Sequence, residues 1–227
     1  MGASGALTVR ITDLIGAEYT SNAAYEGDLI NAAINEIADM LPVELLIKYS
    51  RTPGQLESNS EWLVEDRKIL KVTRVDSGSI ERECKEVDRA GFALAGDSTS
   101  IYEASEFSPI YHHDTVNDGA GTLKILPEPN DSGQTGRIWY FAYVSGDNTA
   151  ITQATLNTSL YLPSNLIHAI ALKSSVNILK AYISNQVQDE EDIELMQMIQ
   201  AQSQGLEKDF LTEMQRFTGK TEEVKAE

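Results

Sequence analysis

The sequence predicts an α+β protein: a helical bundle, made of an N-terminal helix and a long C-terminal helical hairpin, with an inserted antiparallel β sandwich or barrel-like subdomain. Three observations carry that prediction. Residues 25–49 repeat apolar side chains at helical spacing, and residues 163–217 do so again over a longer stretch. The chain between them holds short β-branched runs divided by Gly and Pro. The expected division is a helical body from residues 1–60 and 146–217, a β subdomain from 61–145, and a flexible C-terminal tail from 218–227.

The elements follow in order. Leu7 to Leu14 fits a short strand or a helical turn equally. From Tyr25 the pattern sharpens: Leu29, Ile30, Ala33, Ile34, Ile37, Ala38 and Leu41 form one stripe, with Asp28, Asn31, Asn35, Glu36 and Asp39 on the other side. Pro42 removes an amide and disfavours a helical Leu41, so the helix ends or kinks there. Val43 to Tyr49 is a second helical piece, stopped by Thr52-Pro53-Gly54, and Gln55 to Ser60 reads as loop.

Ile69 to Val75 is a strand by its β-branched content, Ser77-Gly78 turns the chain, and Arg82 to Val87 returns as an edge strand. Ser100 to Glu103, Pro109 to His113 and Thr122 to Leu126 are further strands, the last preceded by a turn at Asp118 to Gly121. Asn130 to Gly136 is loop, and Arg137 to Val144 is the most pronounced strand. Gly146 to Leu160 is a polar, Thr-rich surface connection. Proline at position 163 suits a first helical turn, and the broad apolar face from Leu166 to Ile183 needs cover on more than one side. Asp189 to Asp192 opens the last helix, where negative charge complements the helix dipole. Ile193 to Phe217 continues the stripe, weakened at Gly205.

A length of 227 residues suits one large domain or a core with an inserted subdomain. The net charge of −17 argues against sequence-independent nucleic-acid binding and against attraction to anionic membranes. The same charge also serves solubility. Cys84 is the sole cysteine, so no internal disulfide or Cys-based zinc site is expected; a packed strand side chain is the simpler role. Met1 to Ala6 lacks the basic start and apolar run of a signal peptide.

Catalytic signals are weak. His112 and His113 are adjacent and face opposite sides of a strand, and His168 has no second histidine at helical spacing. The acidic run at 189–192 lacks the glycine and spacing of a calcium loop. Phosphate-loop, nucleophile-elbow and dinucleotide motifs are missing from the sequence. No enzymatic activity, metal or cofactor is expected. The aromatic run Trp139-Tyr140-Phe141 with Tyr143 suits cross-strand packing, with a sugar or base platform as the alternative.

Three segments together resemble the head–tail connector (adaptor or head-completion) proteins of tailed bacteriophages. They are LINAAINEIADMLPVELL from Leu29 to Leu46, SEWLVEDRKILKVTRV from Ser60 to Val75, and YLPSNLIHAIALKSSVNILKAYISN from Tyr161 to Asn185, followed by an acidic helix. Their order carries the resemblance. It implies a structural virion protein, assembled in the bacterial host cytoplasm and placed in the virion neck as a dodecameric ring beneath the portal. The partners implied are further copies of itself, the portal protein, and tail or neck proteins. Genome DNA passes through unbound, in keeping with an acidic lumen. Carried onto this chain, the resemblance points to Phe210, Leu211, Met214 and Phe217 as portal contacts, with packing inside the hairpin as the other reading. It also makes Leu166, Ile167, Ile170, Ile178 and Tyr182 a candidate face between subunits. Two alternatives stay open: another neck or tail part, such as a collar or tail terminator, and a carbohydrate- or ligand-binding module using the β subdomain.

Overall fold

The apolar stripes near the two ends of the chain become helices, and the β-branched runs between them become two sheets. The computed structural model describes residues 6–19, 23–50, 54–56, 62–63, 67–114, 122–129, 135–146, 148–186 and 193–219. Helices α1 (Leu7–Ile15), α2 (Ala23–Met40) and α3 (Val43–Tyr49) lead into β1 (Gly54–Leu56) and β2 (Trp62–Leu63). Next come β3 (Arg67–Val75), β4 (Glu81–Glu83), β5 (Lys85–Glu86) and a short helix, α4 (Arg89–Ala95). After β6 (Ile110–Asp114), β7 (Thr122–Leu126) and β8 (Thr135–Ala142), the chain returns to helix in α5 (Leu156–Ser159), α6 (Ile167–Gln186) and α7 (Ile193–Thr218). The protein is α+β.

Two compact units divide the chain: Met1–Tyr49 with Val144–Glu227, and Ser50–Tyr143. The first boundary differs from the expected residue 60. Gly54–Leu56, read from sequence as the end of a turn and the start of a loop, is strand β1 and pairs antiparallel with β8, Gly54 lying opposite Ile138. Backbone pairing draws that segment into the β unit.

In the helical unit, α6 packs against α1, α2 and α7. Every residue from Ala169 to Val176 is buried, so the helix is covered on all faces over that stretch. The α2 stripe enters the core as read: Ile30, Ala33, Ile34, Ile37, Ala38 and Leu41 are all buried. Helix α2 stops before Pro42, and α3 follows. The undecided segment at residues 7–14 is helix α1, burying Leu7, Ile11 and Ile15 at a spacing of four. Its first amides find backbone partners, Leu7 N donating to the Ile151 carbonyl at 2.7 Å and Thr8 N to the Thr149 carbonyl at 3.4 Å. The Gly146–Leu160 connection is therefore more than surface: it satisfies α1, and it buries Ile151 and Leu156. Lys173 of α6 meets Phe210 of α7, and Lys180 meets Glu207, the order of an antiparallel helix pair.

The β unit holds two four-stranded sheets, ordered β1-β8-β3-β4 and β2-β7-β6-β5, and no closed barrel forms among the described residues. Residues 81–86 leave one sheet for the other: Arg82 pairs with Arg74 of β3, while Lys85 pairs with Ile110 of β6. At the crossing lies Cys84, buried in a core that Val72 and Ile138 enter from one sheet and Leu123 and Ile125 from the other. The β5–β6 pair is parallel, against the antiparallel expectation. Parallel neighbours require a long crossover, which residues 87–109 supply through α4 and a loop. Ser100–Glu103, read as a strand, is a turn. There Asp97 and Ser100 take backbone amides with their side chains, an alternative to sheet pairing. The predicted turn at 118–121 and the acidic run at 189–192 lie outside the described residues.

Candidate functional site

The residues expected to face partners divide sharply by exposure. Phe210 and Met214 are buried on α7, Leu211 is half exposed and Phe217 is partly buried. Two of the four expected portal contacts are thus core side chains of the α6–α7 pair. The expected subunit face is likewise covered within the chain. Leu166, Ile167, Ile170 and Ile178 are buried inside the unit, and Tyr182 stands edge-on to Tyr19 with ring centroids 4.9 Å apart. The wide apolar face has its cover within one chain, because α1, α2 and α7 together surround α6.

Buried polar side chains that the periodic pattern assigned to the outside hold this unit together. Asn35 clamps the backbone of Val144, its Oδ1 accepting from N at 2.7 Å and its Nδ2 donating to O at 3.2 Å. Asn31, which is buried where Asn35 is only partly so, donates to the Gly146 carbonyl at 2.7 Å and accepts from Asn148 at 2.7 Å. Lys173, deep in α6, reaches Glu36 at 2.6 Å and lies 5.4 Å above the Phe210 ring. The aliphatic stem of lysine packs among apolar neighbours while its ammonium stays paired. Glu26 is buried at 8% exposure, and burial raises its carboxyl above the ordinary value.

In the β unit a chain of charged side chains braces one end of β3. Arg74, only 2% exposed, donates from Nε to the Pro127 carbonyl at 2.8 Å and lies 3.6 Å from Glu106. Ser77 donates to the same carboxylate at 3.1 Å. Asp76 receives the amides of Gly78 and Ile80 at 2.9 and 2.8 Å and pairs with Arg82 at 3.3 Å. Those amides, Ile80 first, hold its carboxyl below the usual value. Arg82 in turn lies 5.0 Å over the Phe107 ring. Residues 97–109 are thus fixed in place, and yet they hold the most exposed large apolar side chains described: Ile101 at 92%, Phe107 at 77% and Tyr102 at 67%.

The histidines do not converge. His112 Nδ1 lies 3.0 Å from the Val87 carbonyl and its ring is 5.5 Å from Phe92. His113 is on the opposite face of β6, and His168 is exposed on α6. Among the described residues no group of three or more His, Cys, Asp or Glu side chains is placed to hold a metal ion. Burial pushes the Cys84 thiol up to about 12, far from the range of a reactive nucleophile. In the aromatic strand, Phe141 is buried, Trp139 and Tyr140 are partly buried, and Lys71 and Arg67 lie over their rings at 5.8 and 4.8 Å. Among the described residues Ser164–Asn185 is long and apolar enough to cross a membrane, and 72% of its apolar window is buried in the protein, as in a core helix. No protein-family model matches the sequence, and no curated protein matches it significantly.

Sequence reasoning missed the loop at 97–109 and helix α4 before it. The local signals were present: Asp88 caps α4 by accepting from Gly91 N at 2.8 Å, and Asp97, Thr99 and Ser100 are turn formers. Nothing in the local sequence says that Ile101 and Phe107 stay in water.

Proposed function

We propose that this chain is a structural virion protein of a tailed bacteriophage, a head–tail connector that assembles with copies of itself beneath the portal and links capsid to tail. In this reading the helical unit is a bundle forming the ring body, and the inserted β unit, sandwich-like, binds tail or neck proteins. The observation that carries it is the two-unit division. Both ends of the chain build one helical core, and a β unit enters and leaves it between Tyr49 and Val144. That layout separates a body from a presenting module. The net charge of −17 fits a conduit that lets DNA pass without holding it.

Leu211, Phe217 and the residues after Thr218 remain the portal-facing candidates, since Phe210 and Met214 are occupied within the hairpin. The contact between subunits falls to surfaces other than the buried face of α6. Light scattering and negative-stain imaging of the purified protein, alone and mixed with portal rings, test the proposal. Rings, or a mass shift only when portal is added, are the expected result. A monomer indifferent to portal overturns it.

A further inference from the structure

We infer that the loop Asp97–Pro109 is a docking element for a cationic, apolar segment of a second protein. In the connector reading, on which this inference builds, that protein is a tail or neck component. Ile101, Tyr102 and Phe107, within seven residues of chain, together leave on the order of 400 Å² in water, comparable to the largest apolar patch of a typical monomer, which is often functional. Their exposure is not slack in the chain. Asp97 Oδ1 accepts from Thr99 N and Oγ1 at 2.9 and 2.7 Å, and Ala104 N donates to the Ala95 carbonyl at 2.9 Å. Glu106 is held by Arg74 and Ser77, and Arg82 supports one face of Phe107. A loop anchored at so many points displays its side chains already ordered, so binding forfeits little conformational freedom.

Charge selects the occupant. The segment Asp97–Pro109 contains Asp97, Glu103 and Glu106 and no Lys, Arg or His. Glu106 turns inward to Arg74 and Arg82 is paired with Asp76, which leaves Asp97 and Glu103 as the exposed acidic side chains of this segment. A complementary surface is apolar with Lys or Arg at its rim. A contact that sets this loop against the same loop of a second copy brings acid to acid. An anionic membrane is repelled for the same reason. The patch is about half the area one partner gives to a standard interface, so it anchors a short segment or the centre of a larger contact.

The test uses the full chain and a labelled amphipathic helical peptide of Leu and Lys, with Leu/Glu and Ser/Lys peptides of equal length as controls. Fluorescence anisotropy reads binding, and amide NMR shifts locate it. The expected result is binding of the Leu/Lys peptide alone, with shifts at residues 97–109. The pair Ile101→Ser with Phe107→Ser weakens binding at least about thirtyfold. Glu103→Lys weakens it about fivefold, and added salt does likewise. These positions are exposed, and circular dichroism of the variants is expected to match the parent.

Unchanged binding in the double variant overturns the inference, as does equal binding of the Leu/Glu peptide. Loss of self-association in the double variant assigns the loop to a second copy and overturns it. Loss of flotation with phosphatidylcholine vesicles assigns the loop to a membrane and overturns it too. Portal mixing is run on the same samples. Rings formed without peptide binding sink the docking loop alone, and peptide binding without rings or portal contact sinks the connector reading alone.

Discussion

The helical unit leaves apolar side chains such as Ile193, Met198 and Leu211 about half exposed, and the β unit holds the three most exposed ones described, Ile101, Phe107 and Tyr102. In the first, α6 is buried over its middle from Ala169 to Val176, and charged groups such as Lys173 serve the interior. In the second, Val72, Cys84, Leu123, Ile125 and Ile138 form a core between the two sheets, and the buried Arg74 and Asp76 brace the segment around an apolar loop that stays outside. The contrast teaches that a stripe of apolar residues shows that a surface is covered, not by whom. Sequence pointed to the C-terminal helices as the partner surface, and the three most exposed large apolar side chains described are in the inserted unit.

The largest effect expected is on the helical side. Phe210→Ala removes a ring packed under Lys173 and is expected to cost about 3–4 kcal/mol. Leu211→Ser, one residue away and half exposed, is expected to cost no more than about 0.5 kcal/mol. Chemical denaturation followed by helical circular dichroism compares them. Equal costs at the two positions sink the assignment of Phe210 to the hairpin core.

The brace in the β unit comes next. Arg74→Ala leaves Glu106 and the Pro127 carbonyl without the guanidinium and is expected to destabilise that unit by about 3 kcal/mol. Iodoacetamide labelling of Cys84 reads this directly, since the buried thiol reacts only when the unit opens. Labelling is expected to rise about a hundredfold, the ratio that such a loss implies. Arg74 lowers the Cys84 pKa while the unit is closed, so its removal makes the closed-state thiol less reactive still. Faster labelling therefore reports opening. An unchanged rate shows that the brace contributes little.

Local pattern was enough where one element's own sequence decides its state. The α2 stripe from Ile30 to Leu41, the stop at Pro42 and the strands near Ile69 and Ile138 were legible for that reason. Tertiary contacts settled the rest. Leu7, Ile11 and Ile15 form a helix face only because α6 covers it, and the segment alone suits a strand equally. Asn31 and Asn35 have the spacing of solvent-facing residues, and their clamps on residues 144 and 146 span more than a hundred positions of sequence. Helix α4 is short enough that only the Asp88 cap announced it. The docking loop was least visible, since turn chemistry and apolar residues alternate there without period.

The smallest effect concerns Glu26, a carboxyl that sits in the helical unit at a cost. Its ordinary value is 4.5, and burial raises it in the folded chain. Below pH 4.5 folded and unfolded chains both hold the proton, so the group is neutral in both and burial carries no charge penalty. As pH rises through 4.5 the unfolded chain releases its proton first, and stability falls until the raised folded value is passed. Above that point the penalty is constant. Glu26→Gln keeps the shape and removes the ionisation, so it is expected to stabilise the protein slightly at pH 7. The difference between variant and parent should shrink as pH falls and vanish below 4.5. Comparing the two proteins at each pH cancels the self-repulsion that a net charge of −17 adds to any single titration. A stability difference that stays flat across pH 4 to 7 means that Glu26 ionises in the fold as freely as in water, and that the N-terminal part of α2 is open to solvent there.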